Sequence, residues 1–347
     1  MSKAVLKGGI VGCGIITEAA HLPAWRHTKG ASIVAVCDQK TDAAKETARR
    51  WGIPGVYDDL SKMLQSEKLD FVDICTPPAT HSRLCIKAME AGVNVLVEKP
   101  MATSLDEADE MASASKKHGV KLCLSHNFLF TPAIRTASSL IASGAIGNLI
   151  AVEGHDLLAR DVVFKGEKHW SYDLPGGIFG EHSPHLLYVG SAFLGKIKSV
   201  RAIAMKFSGF PGVRADELKV LVEAEKGLGV FTNSCNSSKF SFTFDIYGTE
   251  GKLHIDNVKQ TITHSRSRSN RTYALVWDQL DSALQMLSGA AYVSIQSLQG
   301  RKWYKLGQYA LFEKFVESVR DNLAPPVTAE DGRENVRVLQ EVWRQIG

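Results

Sequence analysis

The sequence predicts an α/β protein with a doubly wound parallel sheet at its N-terminus and a second α/β domain built on a mostly antiparallel open sheet. Three observations carry this expectation. Over the first 125 residues short apolar runs alternate with segments of helical period, the pattern of βα units joined by right-handed crossovers. The runs are apolar almost throughout, as strands covered by helices on both faces must be. Beyond about residue 128 the alternation gives way to consecutive strands separated by short turns. We therefore divide the chain into 1–126 and 127–347.

The expected strands of the first domain are Lys7–Val11, Ser32–Cys37, Phe71–Cys75, Asn94–Glu98 and Lys121–Leu124. Helical segments lie between them at Ile15–His27, Thr41–Trp51, Leu60–Gln65, Ala79–Ala91 and Leu105–His118, the last opened by Ser104 and Glu107 at capping-box spacing. The second domain starts with a helix, Pro132–Ser143, and a strand, Leu149–His155. After an irregular stretch comes a helix near Pro184–Leu194, with Ser183 suited to the N-cap and Pro184 to the first turn. Six strands are expected next: Ile197–Lys206, Glu217–Ala224, Gly229–Ser234, Phe240–Tyr247, Lys252–Asp256 and Gln260–His264. Helices over Ala274–Leu287, Tyr309–Asp321 and Glu330–Ile346 close the chain, and Leu311, Phe312, Phe315, Val316 and Val319 form one apolar stripe read as core.

Composition narrows the function classes. A length of 347 residues suits about two domains, and 44% apolar with 22% charged residues is ordinary for a soluble globular protein. No run of 18 apolar residues is present, so no membrane partner is expected. The N-terminus lacks a signal-peptide pattern, which makes a cytoplasmic location the expectation. The six cysteines form no CxxC pair and read as reduced core residues. A net charge of +4 is mild. The basic loop His264–Arg271 reads as a solvated tip or oligomer contact, with a phosphate contact as the lesser alternative. Without a second basic stripe or interleaved aromatics, nucleic acid is not an expected partner.

The run Gly12–Cys13–Gly14–Ile15–Ile16–Thr17 follows the first strand and opens the first helix. Gly12 permits a tight turn, and Gly14 lets the backbone approach a pyrophosphate resting on the helix N-terminus at Ile15 and Ile16. Thr17 replaces the third glycine of the dinucleotide fingerprint, which weakens the motif taken alone. Its context restores it: Asp38 ends the second strand about 20 residues on, where an acidic side chain binds the ribose hydroxyls of NAD. Its charge repels a 2′-phosphate, so NAD is favoured and NADP, with Lys40 close by, is the lesser alternative. A Rossmann domain is thus expected. Thr76 and Pro77, at the end of the next strand, face the ligand crevice of such a sheet and are candidates to line the nicotinamide ribose. His81 is either a helix-start residue near the cofactor or a surface cap.

Glu98–Lys99–Pro100 ends the fifth strand. Charges are rarely placed there without partners. Lys99 is suited to stabilise a developing alkoxide, Glu98 to accept bonds from the ribose or to orient Lys99, and Pro100 to fix the turn through a cis bond. A surface ion pair is the plain alternative. These motifs, with Thr76–Pro77–Pro78–Ala79–Thr80–His81 and Glu90–Ala91–Gly92, resemble the glucose–fructose oxidoreductase/inositol dehydrogenase/MocA (Gfo/Idh/MocA) family over essentially the whole chain.

The resemblance implies hydride transfer between NAD(P) and a sugar, inositol or related polyol. It also implies a second domain whose open sheet carries substrate and often an oligomer interface, here a homodimer or homotetramer. In Gly176–Gly177–Ile178–Phe179–Gly180–Glu181–His182–Ser183–Pro184–His185, His185 matches the family's acid/base, and Glu181 stands where the family commonly has Asp. A neutral imidazole can take a hydroxyl proton while hydride leaves the same carbon, and a carboxylate four residues earlier can hold its tautomer. If Ser183 caps the helix, however, Glu181 lies outside it and the pairing weakens. His182 is the rival acid/base. A zinc site on Glu181, His182 and His185 is not favoured, because no further ligand set is evident.

Substrate contacts are implied after the last Rossmann strand, at His126 and Asn127. Trp170 either stacks on a sugar or nicotinamide face or anchors its loop, while Arg160 and Lys168 read as solvated charges. The helical insertion before Tyr309 leaves room for a nucleotide sugar as well as a free sugar or inositol. Two other readings stay open: an NAD-dependent glycosidase working by transient oxidation and elimination, and a non-catalytic dinucleotide sensor.

Overall fold

The computed structural model of the chain describes residues 5–163, 170–210, 212–266, 271–299 and 306–347. Two compact units divide it, Met1–Asn127 with Gly307–Arg337, and Phe128–Leu306 with Val338–Gly347.

In the first unit six strands lie in the order β3-β2-β1-β4-β5-β6: β1 (Leu6–Val11), β2 (Ala31–Cys37), β3 (Gly55–Tyr57), β4 (Phe71–Ile74), β5 (Asn94–Val97) and β6 (Leu122–Leu124). All neighbouring pairs are parallel. β3 is not expected from the sequence, being three residues long and buried at only one of them. The order reverses between β1 and β4, which opens a crevice at their C-terminal ends. The Leu105–His118 helix is capped by Ser104, whose hydroxyl accepts from the Glu107 N–H, but the Glu107 carboxylate reaches back to the N–H of Thr103, one residue before the cap.

The expected continuous domain over 127–347 is interrupted. The helix Leu306–Arg320 belongs to the first unit, where its apolar stripe seals the side of the sheet that carries Trp25. Phe312 and Phe315 are fully buried; the Phe312 ring centre lies 4.4 Å from that of Trp25, and Phe315 meets Phe71 at 5.6 Å. Periodicity alone says that this stripe is buried but not which sheet it covers.

The second unit holds a seven-stranded sheet in the order β13-β12-β11-β7-β10-β9-β8: β7 (Leu149–Ala159), β8 (Ile197–Met205), β9 (Glu217–Ala224), β10 (Leu228–Ser237), β11 (Ser241–Gly248), β12 (Gly251–Asp256) and β13 (Thr261–Arg266). Its pairs are antiparallel except β7 with β10. The helix Phe179–Leu194 covers β7 and β10. Gly190 makes that seat possible, since a Cβ there would stand 2.2 Å from the Phe231 ring. On the other face Ile203, Met205, Leu221, Leu228 and Val230 are exposed.

That helix starts five residues earlier than Pro184, at Phe179, directly after a turn in which Gly176 and Gly177 take positive φ. Pro184 lies inside it, with the buried anchor Phe179 before it and Leu186 and Leu187 after it. Glu181 is therefore in the first helical turn, where its charge suits the helix dipole, and Ser183 is no cap: its hydroxyl donates to Asn233 at 2.8 Å. No helix among the described residues is long and apolar enough to cross a membrane.

Candidate functional site

The glycine turn stands at the mouth of the β1/β4 crevice. Gly12 has φ +95°, and a Cβ on it would lie 2.8 Å from the carbonyl oxygen of Cys75. Thr17 repairs the missing third glycine in its own way, its buried hydroxyl donating to the Gly12 carbonyl at 2.6 Å and so bracing the turn from inside the helix. Asp38 closes the turn from the β2 side, accepting the Cys13 N–H at 2.8 Å on one oxygen and the Lys40 N–H at 2.8 Å on the other. An ionised carboxylate has about four acceptor positions, so both oxygens keep capacity for ribose hydroxyls. Nothing lies within 4 Å of a Cβ built on Gly14, and Ile15 beside it is exposed. An open backbone facing solvent, an acidic strand end and a helix start fit a dinucleotide, with Gly12, Gly14, Ile15 and Ile16 toward its phosphates and Asp38 toward its ribose. We expect Gly12→Ala to weaken NADH binding about tenfold or more, because an alanine held at positive φ costs roughly 1–2 kcal/mol and the turn must also move off Cys75. Fluorescence titration of the folded variant checks this, and unchanged affinity counts against the turn as the phosphate cradle.

Thr76 and Pro77 follow β4 at the same edge. The surface-cap alternative for His81 is overturned: the ring is fully buried, one nitrogen 2.8 Å from the Thr76 carbonyl and the other 3.0 Å from that of Pro100. His81 thus ties the Thr76 turn to the Lys99–Pro100 turn, and burial holds its pKa below the ordinary histidine value. The Lys99–Pro100 peptide is cis, as the sequence suggested. Glu98 does not form a surface ion pair. It is buried, one carboxylate oxygen lying 2.8 Å from Nε2 of His21 and the other accepting the Lys99 N–H at 3.1 Å. His126 and Asn127 follow β6 and are also buried; burial lowers the His126 pKa to about 4, so that ring is neutral at pH 7.

In the second unit Nδ1 of His185 lies 2.7 Å from the Tyr188 hydroxyl, which also accepts the Phe128 N–H at 3.3 Å. The ring stacks on Phe128 with centres 4.4 Å apart. Tyr188, one turn beyond His185, is a partner of the ring in addition to those expected from the sequence. The i, i+3 spacing of His185 and Tyr188 is the sequence signal for this contact. His182 lies 3.4 Å from the buried carboxylate of Asp156, a partner that no sequence spacing indicates. The Trp170 side chain, Lys168 and the 267–270 tip of the basic loop lie outside the described residues. Arg160 is exposed. Among the described residues the three ligand-type side chains whose atoms converge within 4.8 Å are His21, Asp73 and Cys75, an arrangement that hydrogen bonds account for.

A parallel sheet in this order, with a glycine turn and an acidic β2 end at the switch point, defines an NAD-binding Rossmann domain, here joined to a second α/β unit. The chain belongs to the Gfo/Idh/MocA oxidoreductase family: residues 6–126 match its NAD-binding Rossmann model and residues 134–254 its C-terminal domain model. D-apiose dehydrogenase of Paraburkholderia graminis is 40% identical over 141 residues, which is 41% of this chain and 37% of that relative's length. Myo-inositol 2-dehydrogenase of Thermotoga maritima is 23% identical over 341 residues, 94% of this chain and 91% of that protein. The WlbA dehydrogenase of Bordetella pertussis, solved with NADH and UDP-GlcNAcA, superposes with a TM-score of 0.82 at 18% identity, covering 99% of this chain and 96% of that one.

Proposed function

We propose that this chain is an NAD-dependent oxidoreductase transferring hydride between nicotinamide and the hydroxyl or carbonyl carbon of a sugar, nucleotide sugar or inositol-type substrate. The observation that carries the reading is the closed circuit of Gly12, Cys13 and Asp38 at the switch point, with Lys99 at the end of a neighbouring strand. Relatives named as dehydrogenases of apiose and inositol support the substrate class. NAD bound in the crevice supplies the hydride acceptor. Gly12, Gly14, Ile15 and Ile16 hold its phosphates, Asp38 its adenosine ribose, and Thr76, Pro77 and the Glu98–Lys99 turn its nicotinamide side, with His81 bracing the two turns. Lys99 stabilises negative charge on the reacting oxygen, and His185, oriented by Tyr188 with Glu181 one turn before it, takes or returns the hydroxyl proton. His126, Asn127 and Trp170 contact the substrate.

The exposed apolar face of the second sheet supports a homodimer or homotetramer, since patches of that kind on a stable protein are usually covered. A cytoplasmic location remains part of the proposal. The reading is tested by titrating the protein with NADH and NADPH, then screening polyols, free sugars and UDP-sugars for change in reduced-nicotinamide absorbance. Turnover on one class supports it; aglycone release without net NADH points to the glycosidase, and binding with no turnover to the sensor. Asp38→Ala is expected to weaken NADH about 10–100-fold, the worth of hydrogen bonds to a charged group, while raising NADPH affinity relative to NADH. An unchanged NADH/NADPH ratio rules Asp38 out as the ribose reader.

A further inference from the structure

Behind Glu98 lies a buried array of charges that the proposed chemistry does not itself require. His21 is fully buried in the first unit, at the end of a π-helical segment, Thr17–His21, whose wider turn carries the ring inward from the glycine-turn helix. Its Nδ1 is 2.8 Å from a carboxylate oxygen of Asp73 and its Nε2 is 2.8 Å from one of Glu98. Asp73 stands in the middle of β4, itself fully buried, and also accepts the Trp25 indole N–H at 2.6 Å. Phe312 packs edge-on to the imidazole. Ionised carboxylates only accept hydrogen bonds, so a ring seated between two of them must bring a proton on each nitrogen. An imidazolium there also supplies the cation that two buried carboxylates need.

We propose that His21, as an imidazolium shared between Asp73 and Glu98, is the positioning residue that holds the Glu98 carboxylate against the Lys99 backbone N–H and so sets where Lys99 stands. It matters for turnover only if Lys99 acts as proposed above, but its structural content stands apart from that reading. The groups facing the array are Asp73 from β4 and Cys75 just after it, His81 at the start of the helix that follows β4, Glu98 and Lys99 just after β5, and His126 after β6. The electrostatics agree: burial opposes charge on His21, but Asp73 and Cys75 raise its proton affinity well above the ordinary value. For Glu98 burial is likewise opposed, by His21 and Lys99, and its pKa falls to about 2.

The test uses the full chain without substrate. With ¹⁵N-histidine, both His21 ring nitrogens are expected to stay protonated from pH 6 to 9, a range over which a free imidazole loses its second proton, near about 6.5. In His21→Gln, hydrogen exchange of the Lys99 amide is expected to accelerate at least about tenfold, whereas amides in β1 and β2 keep their protection; a merely structural loss would move all of them together. If His21→Gln does not fold, Asp73→Asn keeps the shape and withdraws one charge, and His21 is then expected to lose its second proton within the same pH range. A neutral His21 in the parent at pH 8, Lys99 protection unchanged in folded His21→Gln, or a His21 indifferent to Asp73→Asn would each overturn the proposal. None of these readings depends on turnover, so a failure of the dehydrogenase assignment is separately visible.

Discussion

Lys99→Ala is expected to lower kcat/KM by about 10²–10³-fold, the usual loss on removing one donor aimed at a developing oxyanion. Alanine keeps the backbone N–H that donates to Glu98, so the change removes the ammonium and leaves that hydrogen bond in place. NADH affinity, read by fluorescence, is expected to change only a few-fold because the glycine turn and Asp38 are untouched. His185→Ala is expected to cost about 10²–10⁴-fold, within the range for a general acid/base. If both residues serve one proton-coupled step, as proposed, the double variant loses much less than the product of the two. Tyr188→Phe provides a graded control: it removes the hydroxyl 2.7 Å from Nδ1 of His185 and leaves the buried ring in place. Near-parental turnover by folded Lys99→Ala would remove Lys99 from the chemistry and bring the dinucleotide-sensor reading forward.

Phe312→Ala is expected to destabilise the first unit by about 3–5 kcal/mol, the range for truncating a fully buried aromatic. Phe312 comes from the helix Leu306–Arg320, yet its ring lies against Trp25 and His21 from the start of the chain. The cavity would therefore open next to the His21–Asp73–Glu98 array, and relaxation there is restricted because each polar atom already has a fixed partner. Urea unfolding followed by hydrogen exchange of the β1 and β4 amides, with and without NADH, measures the effect; NADH should restore part of it by mass action if the unit binds the cofactor. A loss below about 1 kcal/mol would mean that the returning helix is a dispensable cover, not part of the core of this unit.

Features set by short-range spacing are legible in the amino-acid sequence by itself. A glycine turn between a strand and a helix, an acid at the end of the next strand and a charged pair before a proline are contiguous patterns, and each stands at the sheet edge where its strand ends. The parallel and antiparallel halves are legible for the same reason, since periodicity and turn spacing are local. The start of the Phe179–Leu194 helix is not, because Pro184 is a strong local stop that buried contacts on either side override. Which sheet the Phe312 stripe covers, which ring nitrogen Tyr188 occupies, and that His21 and His81 turn inward to bind Glu98, Asp73, Thr76 and Pro100 were decided by tertiary structure alone. A sequence determines what each residue offers, an apolar face, a donor or a charge, but a hydrogen bond or a packed ring needs two partners within a few ångströms, and the folded chain decides which of the possible partners meet, whether 3 positions apart, as His185 and Tyr188 are, or 52, as His21 and Asp73 are.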